Sequence, residues 1–358
     1  MIETKLPKVG TTIFTVMSQL ANQHQAVNLG QGFPDYEPPE GLRAALSRAM
    51  DRHCNQYAPM HGTQALREAI AAKTERLYGR KLDVDNDITV TSGATEAIFA
   101  AIAATVRAGE EVIVFDPAYD CYEPAIELQG ARAVHVPLEV PSFAIDWQRV
   151  REAVTPKTRM ILLNSPHNPS GAVLAAADLD ELAAIVRDTG ILVLSDEVYE
   201  HIIYDGVAHQ SVLRHAELAE RSFVVSSFGK TYHCTGWKVG YVVAPKKLSA
   251  EFRKVHQYLT FCTFHPAQAA FAEFLASDPQ HYERLSAFYQ IKRDHFRQLL
   301  APTRLKLLDV AGGFFQLVDY SAIRDEDDLA FSRWLVTEGG VAAIPLSPFY
   351  ATPPGTRL

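Results

Sequence analysis

A chain of 358 residues, 47% hydrophobic and 21% charged, is long enough for two domains or for one large α/β unit with a satellite. A formal net charge of −8 argues against an extended nucleic-acid or anionic-membrane surface, though not against a local cationic pocket for a small anion. No run approaches the ~20 apolar residues of a membrane span. The opening MIETKLPKVG lacks the apolar region of a secretory signal, and the four scattered cysteines form no CxxC pair. These features predict reduced thiols and a cytoplasmic protein.

In chain order, Leu42–Met50 and Gln64–Tyr78 carry helical periodicity, Asp87–Thr91 (DITVT) is a short β run, and Glu96–Val106 predicts a helix. Glu111–Phe115 (EVIVF), Ala131–Val136 and Arg159–Leu163 (RMILL) follow as strands. Asp178–Thr189 predicts a helix, and Ile191–Leu194 (ILVL) and Ser222–Val225 two more strands. Apolar strands separated by helices predict an α/β fold with a mainly parallel (mixed) central sheet and helices on both faces. Beyond Lys246 the pattern changes. Glu251–Leu275 (interrupted at Pro266) and His281–Leu300 read as long helices, and Leu305–Val310, Gly313–Asp319 and Val341–Ile344 as β-like pieces of a smaller α+β domain. The expected division is an N-terminal arm belonging to the small domain (1–41), a large ligand-binding domain (42–280) and the small domain (281–358).

Ligands of an open parallel sheet bind beyond the carboxyl ends of its strands. DITVT is followed by Ser92-Gly93-Ala94-Thr95-Glu96, EVIVF by Asp116-Pro117-Ala118-Tyr119, and RMILL by Asn164-Ser165-Pro166-His167-Asn168-Pro169-Ser170-Gly171. ILVL is followed by Ser195-Asp196-Glu197-Val198-Tyr199, and the last strand by Ser227-Phe228-Gly229-Lys230. Singly, each has a plain reading: a turn and helix cap, a packed aromatic, a turn asparagine, a capping acid, a solvated lysine. Jointly they match the needs of one cofactor, pyridoxal phosphate. It takes a lysine for a Schiff base, an acid at the ring nitrogen, donors at the ring hydroxyl, an aromatic on the ring face and a phosphate cup at a helix start.

Other chemistries fit less well. Gly30-Gln-Gly32-Phe33-Pro34-Asp35 starts like a dinucleotide fingerprint but lacks its third glycine, and Pro34 and Pro38-Pro39 oppose a helix there. Thirteen histidines include no HExxH or clustered ligand set, so no metal site is expected.

The motifs Ser227–Lys230, Thr235-Gly236-Trp237-Lys238, Asn168-Pro169-Ser170-Gly171 and Asp196-Glu197-Val198-Tyr199, in this order, resemble the class I/II aminotransferases of PLP-dependent fold type I along the whole chain. Asn28–Asp35 (NLGQGFPD), Asp116–Pro124 and the lysine of GWKVG are similar to the methionine and kynurenine–oxoglutarate (glutamine) transaminase branch. The resemblance implies ping-pong transfer of an amino group from a methionine-, glutamine- or kynurenine-type L-amino acid to a 2-oxo acid. It assigns Lys230 as covalent anchor and proton shuttle, Asp196 at the pyridine nitrogen, and Tyr199 and Asn168 at the ring hydroxyl, with Tyr119 stacked on the ring. The phosphate would take the amides of Gly93, Ala94 and Thr95, the Ser227 hydroxyl and the Lys238 ammonium, with Gly229 leaving room for the cofactor. Tyr57 would reach that phosphate from the second subunit of a homodimer. Gly32 and Asn168 would meet the substrate carboxylate end and Phe14 its side chain. A cysteine-S-conjugate β-lyase and an inactive cofactor-binding form are the alternatives. One departure concerns the family's carboxylate-binding arginine, in a strand reading R-[FL]-x-[FY]: the chain reads Pro354-Gly355-Thr356-Arg357-Leu358, and Arg357 is not assigned that role, so the small domain is expected to be truncated before the clamp.

Overall fold

The computed structural model describes residues 3–52 and 54–358; Met1 and Ile2, part of the expected N-terminal arm, and His53 lie outside the described residues. Seven strands, β1 (Ile88–Thr91), β2 (Glu111–Asp116), β3 (Arg132–Pro137), β4 (Thr158–Asn164), β5 (Leu192–Asp196), β6 (Ser222–Ser227) and β7 (Gly240–Val243), form one sheet in the order β1-β7-β6-β5-β4-β2-β3. β2 through β6 pair in parallel, as crossover helices demand, while β7 runs antiparallel to both β6 and β1. The mixed sheet is therefore as expected, but β7 itself was not read. Its four residues, GYVV, return from β6 with no long helix between, so the strand–helix alternation passes over them.

Strand period places neighbouring residues in different cores. Ile113, Phe115, Ile161, Leu163 and Val193 face one side with Leu66 and Ile70 of the helix Gln64–Tyr78. Val112, Val114, Met160, Leu162 and Leu194 face the other with Ala97, Ile98 and Ala101 of the helix Ala94–Thr105. Both faces are covered, which is why β2 and β5 are buried at every position and read as unbroken apolar runs.

The second half departs more from expectation. The interrupted helix is two helices, Lys246–Leu259 and His265–Ser277, and Pro266 sits in the first turn of the second, where a missing N–H has no helical acceptor to lose. His281–Leu300 is helical as read. The β-like pieces shrink to two-residue pairings: Lys306–Leu307 with Val318–Asp319, and Val341–Ala342 with Val27–Asn28. The unread helix Ile13–His24 starts at Thr12, whose side chain accepts from the Thr15 amide at 3.3 Å. Its Met17 and Ala21 join Val336 and Ala342 in one buried cluster, so the chain's beginning packs on its end. Among the described residues no helix is long and apolar enough to cross a membrane.

A buried ion pair ties the helix Gln64–Tyr78 to the residues after β5. Lys73 Nζ donates to Glu200 Oε1 at 2.7 Å and to Tyr241 Oη at 2.6 Å, and Tyr78 and Ser226 hydroxyls also donate to Glu200. Burial alone would raise the Glu200 carboxyl, but Lys73, His201 and the hydroxyl donors bring it well below the usual carboxylate range. A depressed acid contributes stability that is fully present above its unfolded value of about 4.3 and is lost as the pH falls below it. Lys73→Met leaves a buried carboxylate without its cation. The expected cost is about 3–5 kcal/mol in urea denaturation at pH 7, with Lys73→Met/Glu200→Gln recovering part of it.

Candidate active site

At the carboxyl edge of the sheet lies a cavity of about 150 Å³. Gly93, Ala94, Thr95, Tyr119, Asn168, Asp196, Tyr199, Ser227, Lys230 and Lys238 all line it, so five strand ends converge as the sequence required.

One end is a helix start. Gly93 holds φ at 81°, a left-handed value that opens the helix Ala94–Thr105. The Gly93 amide donates back to the Thr91 carbonyl at 2.8 Å, so it is not the free donor expected from the sequence. The amides of Ala94 and Thr95 have no acceptor among the described residues and carry the positive end of the helix. A Cβ on Gly93 would lie 3.3 Å from Lys238 Nζ, which puts that ammonium beside the same turn. Gly240, opening β7, is equally confined: a Cβ there would meet the Ser226 carbonyl oxygen at 2.7 Å and the Ala94 nitrogen at 3.1 Å. Gly229 lines the cavity and is also confined from behind. Its missing side chain admits the Thr235 backbone, 2.9 Å from where a Cβ would stand, and so closes the turn behind Lys230.

The other end is acidic. Asp196 is buried and takes the Tyr122 hydroxyl on Oδ2 at 2.7 Å and the Val198 amide on Oδ1 at 3.3 Å. Among the described residues no basic side chain pairs with it within 4.0 Å, and burial pushes its carboxyl up to about 6 despite those donors. Lys230 is lowered to about 8 by burial, with Asp196 opposing and Lys238 reinforcing that change. A lysine of lowered pKa and an acid with no ion-pair partner among the described residues thus share one small space, a combination that clusters at functional sites.

Sequence reading missed Tyr122 and Asn164. Both were in view, in the stretch after β2 and at the end of β4, but their parts are made by the fold. Asn164 accepts the Asn168 amide at 2.7 Å and donates to the Asp196 carbonyl at 3.0 Å, locking the Asn168 loop to β5. Tyr119 meets Tyr122 edge to face with ring centroids 5.8 Å apart.

Three expected residues stand outside the cavity wall. Gly32 comes close, its carbonyl accepting from Lys230 Nζ at 2.7 Å. Phe14 packs on Phe349 with centroids 5.6 Å apart. Tyr57 is 82% exposed and stacks edge-on against Phe261. Arg357 is turned away: its carbonyl accepts the Tyr320 amide and its guanidinium pairs with Asp325 at 3.0 Å.

Comparison with known proteins agrees with this geometry. The profile of the family "Aminotransferase class I and II" matches residues 24–358. The methionine aminotransferase of Escherichia coli is 55% identical over 98% of this chain and 91% of its own length. Kynurenine–oxoglutarate transaminase 1 of Mus musculus is 34% identical over 94% and 87%. Among solved structures, an Escherichia coli protein identified as having methionine aminotransferase function superposes with a TM-score of 0.97 at 54% identity, covering 100% of this chain and 93% of that one. The N-succinyldiaminopimelate aminotransferase of Mycobacterium tuberculosis does so with a TM-score of 0.94 at 39% identity, covering 98% and 92%. A sheet whose strand ends gather a lysine, an acid, an amide and a helix start, matched along nearly its whole length, makes this chain a member of the class I and II aminotransferases.

Proposed function

We propose that the enzyme moves the amino group of methionine, or of a similar apolar or aromatic L-amino acid, to a 2-oxo acid with pyridoxal phosphate held in the 150 Å³ cavity. The observation that carries this reading is the buried Asp196 carboxylate, without a cation of its own, across the cavity from a lysine of lowered pKa. The donor set fits the group. The free amides of Ala94 and Thr95, the Ser227 hydroxyl and the Lys238 ammonium would hold a phosphate, with Gly93 supplying the turn. Tyr119 would cover the ring, and Asn168 and Tyr199 would face its hydroxyl oxygen. Bound there, pyridoxal phosphate supplies a carbonyl for condensation with amines and a ring that accepts electrons.

The chain's own groups supply the rest. Burial leaves Lys230 Nζ about 8, so part of it is unprotonated at neutral pH and able to take a proton from a substrate α-carbon and return it. Asp196, ionised above about 6, would hold a proton at a ring nitrogen, and Tyr122 keeps the carboxylate aimed. Phe14, packed on Phe349 outside the cavity lining, would offer an apolar surface to an uncharged substrate side chain, and the likeness to methionine and kynurenine transaminases supports the same substrate class.

The proposed assembly is a cytoplasmic homodimer in which Tyr57 serves the neighbouring phosphate. Exposed Tyr57, Tyr258, Phe261 and Phe264 support such an interface, and the free thiols support the compartment. Pairing of Val27–Asn28 with Val341–Ala342 supports the division into an arm, 1–41, that joins the small domain, 281–358, beside the large domain, 42–280.

Borohydride reduction of the cofactor-loaded enzyme is expected to fix the cofactor on the peptide containing Lys230; attachment to another lysine refutes the assignment. In an amino-donor screen, methionine and aromatic amino acids are expected to exceed aspartate at least tenfold in kcat/KM. Asp196 gives a separate prediction for the cofactor-free protein. Its raised pKa means that stability is fully present below the unfolded value of about 3.9 and is lost as the pH rises towards 6. Thermal melts of Asp196→Asn against the parent should therefore show a difference that grows in favour of the variant from pH 4 to 6 and then levels off, while cofactor affinity falls at least tenfold.

A further inference from the structure

Residues 311–315 reach the site from far along the chain. Ala311 and Gly312 donate their amides to the Gly171 carbonyl at 3.0 and 2.9 Å, and Gly313 donates to Ile202 at 2.9 Å. Tyr204 returns two bonds, from its amide to Ala311 at 2.8 Å and from its hydroxyl to Gly313 at 2.5 Å. The backbones come so close that a Cβ on Gly171 would lie 2.7 Å from the Gly312 oxygen, and one on Gly312 would lie 2.7 Å from the Ile202 oxygen. This seam joins the segment to the residues following the Asn168 and Asp196 motifs, so its register against the site is fixed by main-chain bonds.

The seam delivers two aromatic rings. The Phe314 ring centroid is 5.6 Å from Lys230 Nζ, and the Tyr199 centroid is 5.5 Å from the same atom. The two rings meet edge to face at 5.1 Å, and Tyr289 backs Phe314 at 5.0 Å. Phe315 closes the side towards Gly32, its Cζ 3.2 Å from where a Cβ would stand. The Lys230 nitrogen therefore faces two adjoining aromatic rings on one flank and has the Gly32 carbonyl as its hydrogen-bond acceptor.

We infer that Phe314 is a positioning residue for the transfer reaction: held by the seam, its ring walls the Lys230 nitrogen off from water and so keeps the amine nucleophilic. The inference rests on Lys230 being the reacting amine. Two effects of the ring oppose one another. A cation over its face favours the ammonium. Exclusion of water favours the neutral amine and shifts fully buried lysines by up to 3–5 pH units. Lys230 is part-buried and burial is the largest influence on it; the Phe314 ring forms one wall of that enclosure, and on our inference its exclusion of water outweighs its attraction for the ammonium. The charged and titratable groups facing the nitrogen are Asp196 at the end of β5, Lys238 in the turn before β7, and Tyr199. Substitution at 314 leaves all three in place.

The test uses cofactor-free enzyme labelled with cyanate across pH 6–11, with carbamoylation of Lys230 followed by peptide mass spectrometry. The midpoint of the pH profile, rather than the rate, separates ionisation from access. Phe314→Ala is expected to raise that midpoint by at least one pH unit, and Phe314→Leu, which keeps apolar bulk but loses the π face's attraction for the ammonium, to leave it in place or lower it by up to about one pH unit. A midpoint that stays or falls in Phe314→Ala overturns the inference, as does a Phe314→Leu midpoint raised as far as that of Phe314→Ala. Should Phe314→Ala fail to fold, Phe314→Gln keeps the bulk but brings in a polar group, and the same rise is expected. Borohydride trapping in the parent separates the two levels. If the cofactor is fixed on Lys230 while the midpoints coincide, only the role of Phe314 falls; if it is fixed elsewhere, the underlying reading falls as well.

Discussion

A carboxylate held away from water with only a hydroxyl and an amide as donors is energetically uphill, and much of the site is arranged around keeping Asp196 in that condition. β5 carries it to the sheet edge through residues that are buried throughout. Tyr122 and Val198 satisfy its oxygens without neutralising it, and Asn164 binds its main chain to the neighbouring loop. Two apolar cores that meet at the sheet enclose the position and keep water from it, which maintains that cost, and their own packing offsets it. A positive group placed against Asp196 relieves this condition. A cationic ring bound there would therefore gain from the position as well as from its other contacts.

Lys230 is the counterpart at the other strand end. It sits in the short helical turn Phe228–Thr231 directly after β6, and the packing of Gly229 against Thr235 fixes the turn. Burial works on the two groups in opposite chemical senses, raising the acid and lowering the base, and both changes favour the uncharged form. That is the direction a site needs if it is to trade protons near neutrality.

The large parallel unit was legible because its information is local. An apolar run followed by a small or polar cluster names both a strand and the edge at which it ends. Lys230, Asp196, Tyr199 and Asn168 were readable for that reason. Tyr122 and Asn164 were not, because their value lies in which atoms they meet across the sheet, and no periodicity encodes that. Gly93 lines the cavity as expected, but the engagement of its amide was not legible, since it depends on a turn that returns to Thr91. β7 and the two-residue pairings Val27–Asn28/Val341–Ala342 and Lys306–Leu307/Val318–Asp319 are too short to carry a pattern, and their pairing is set by contacts distant in sequence.

The close approach at Gly240 has a consequence for assembly. β7 lies between β6 and β1, so the helix-start end of the cavity is built from segments that begin near residue 88 and finish near residue 243. A nascent chain that has not yet delivered β7 has a helix start but no cup. Such long-range closure is slow to form, because loop entropy must be met before the contacts repay it. A ligand that spans Ala94, Ser227 and Lys238 then acts as a latch on the whole sheet edge. Bound at a hundred times its dissociation constant, it would favour the closed topology by about 2.7 kcal/mol. A ligand bound in this way would be a late structural member of the fold.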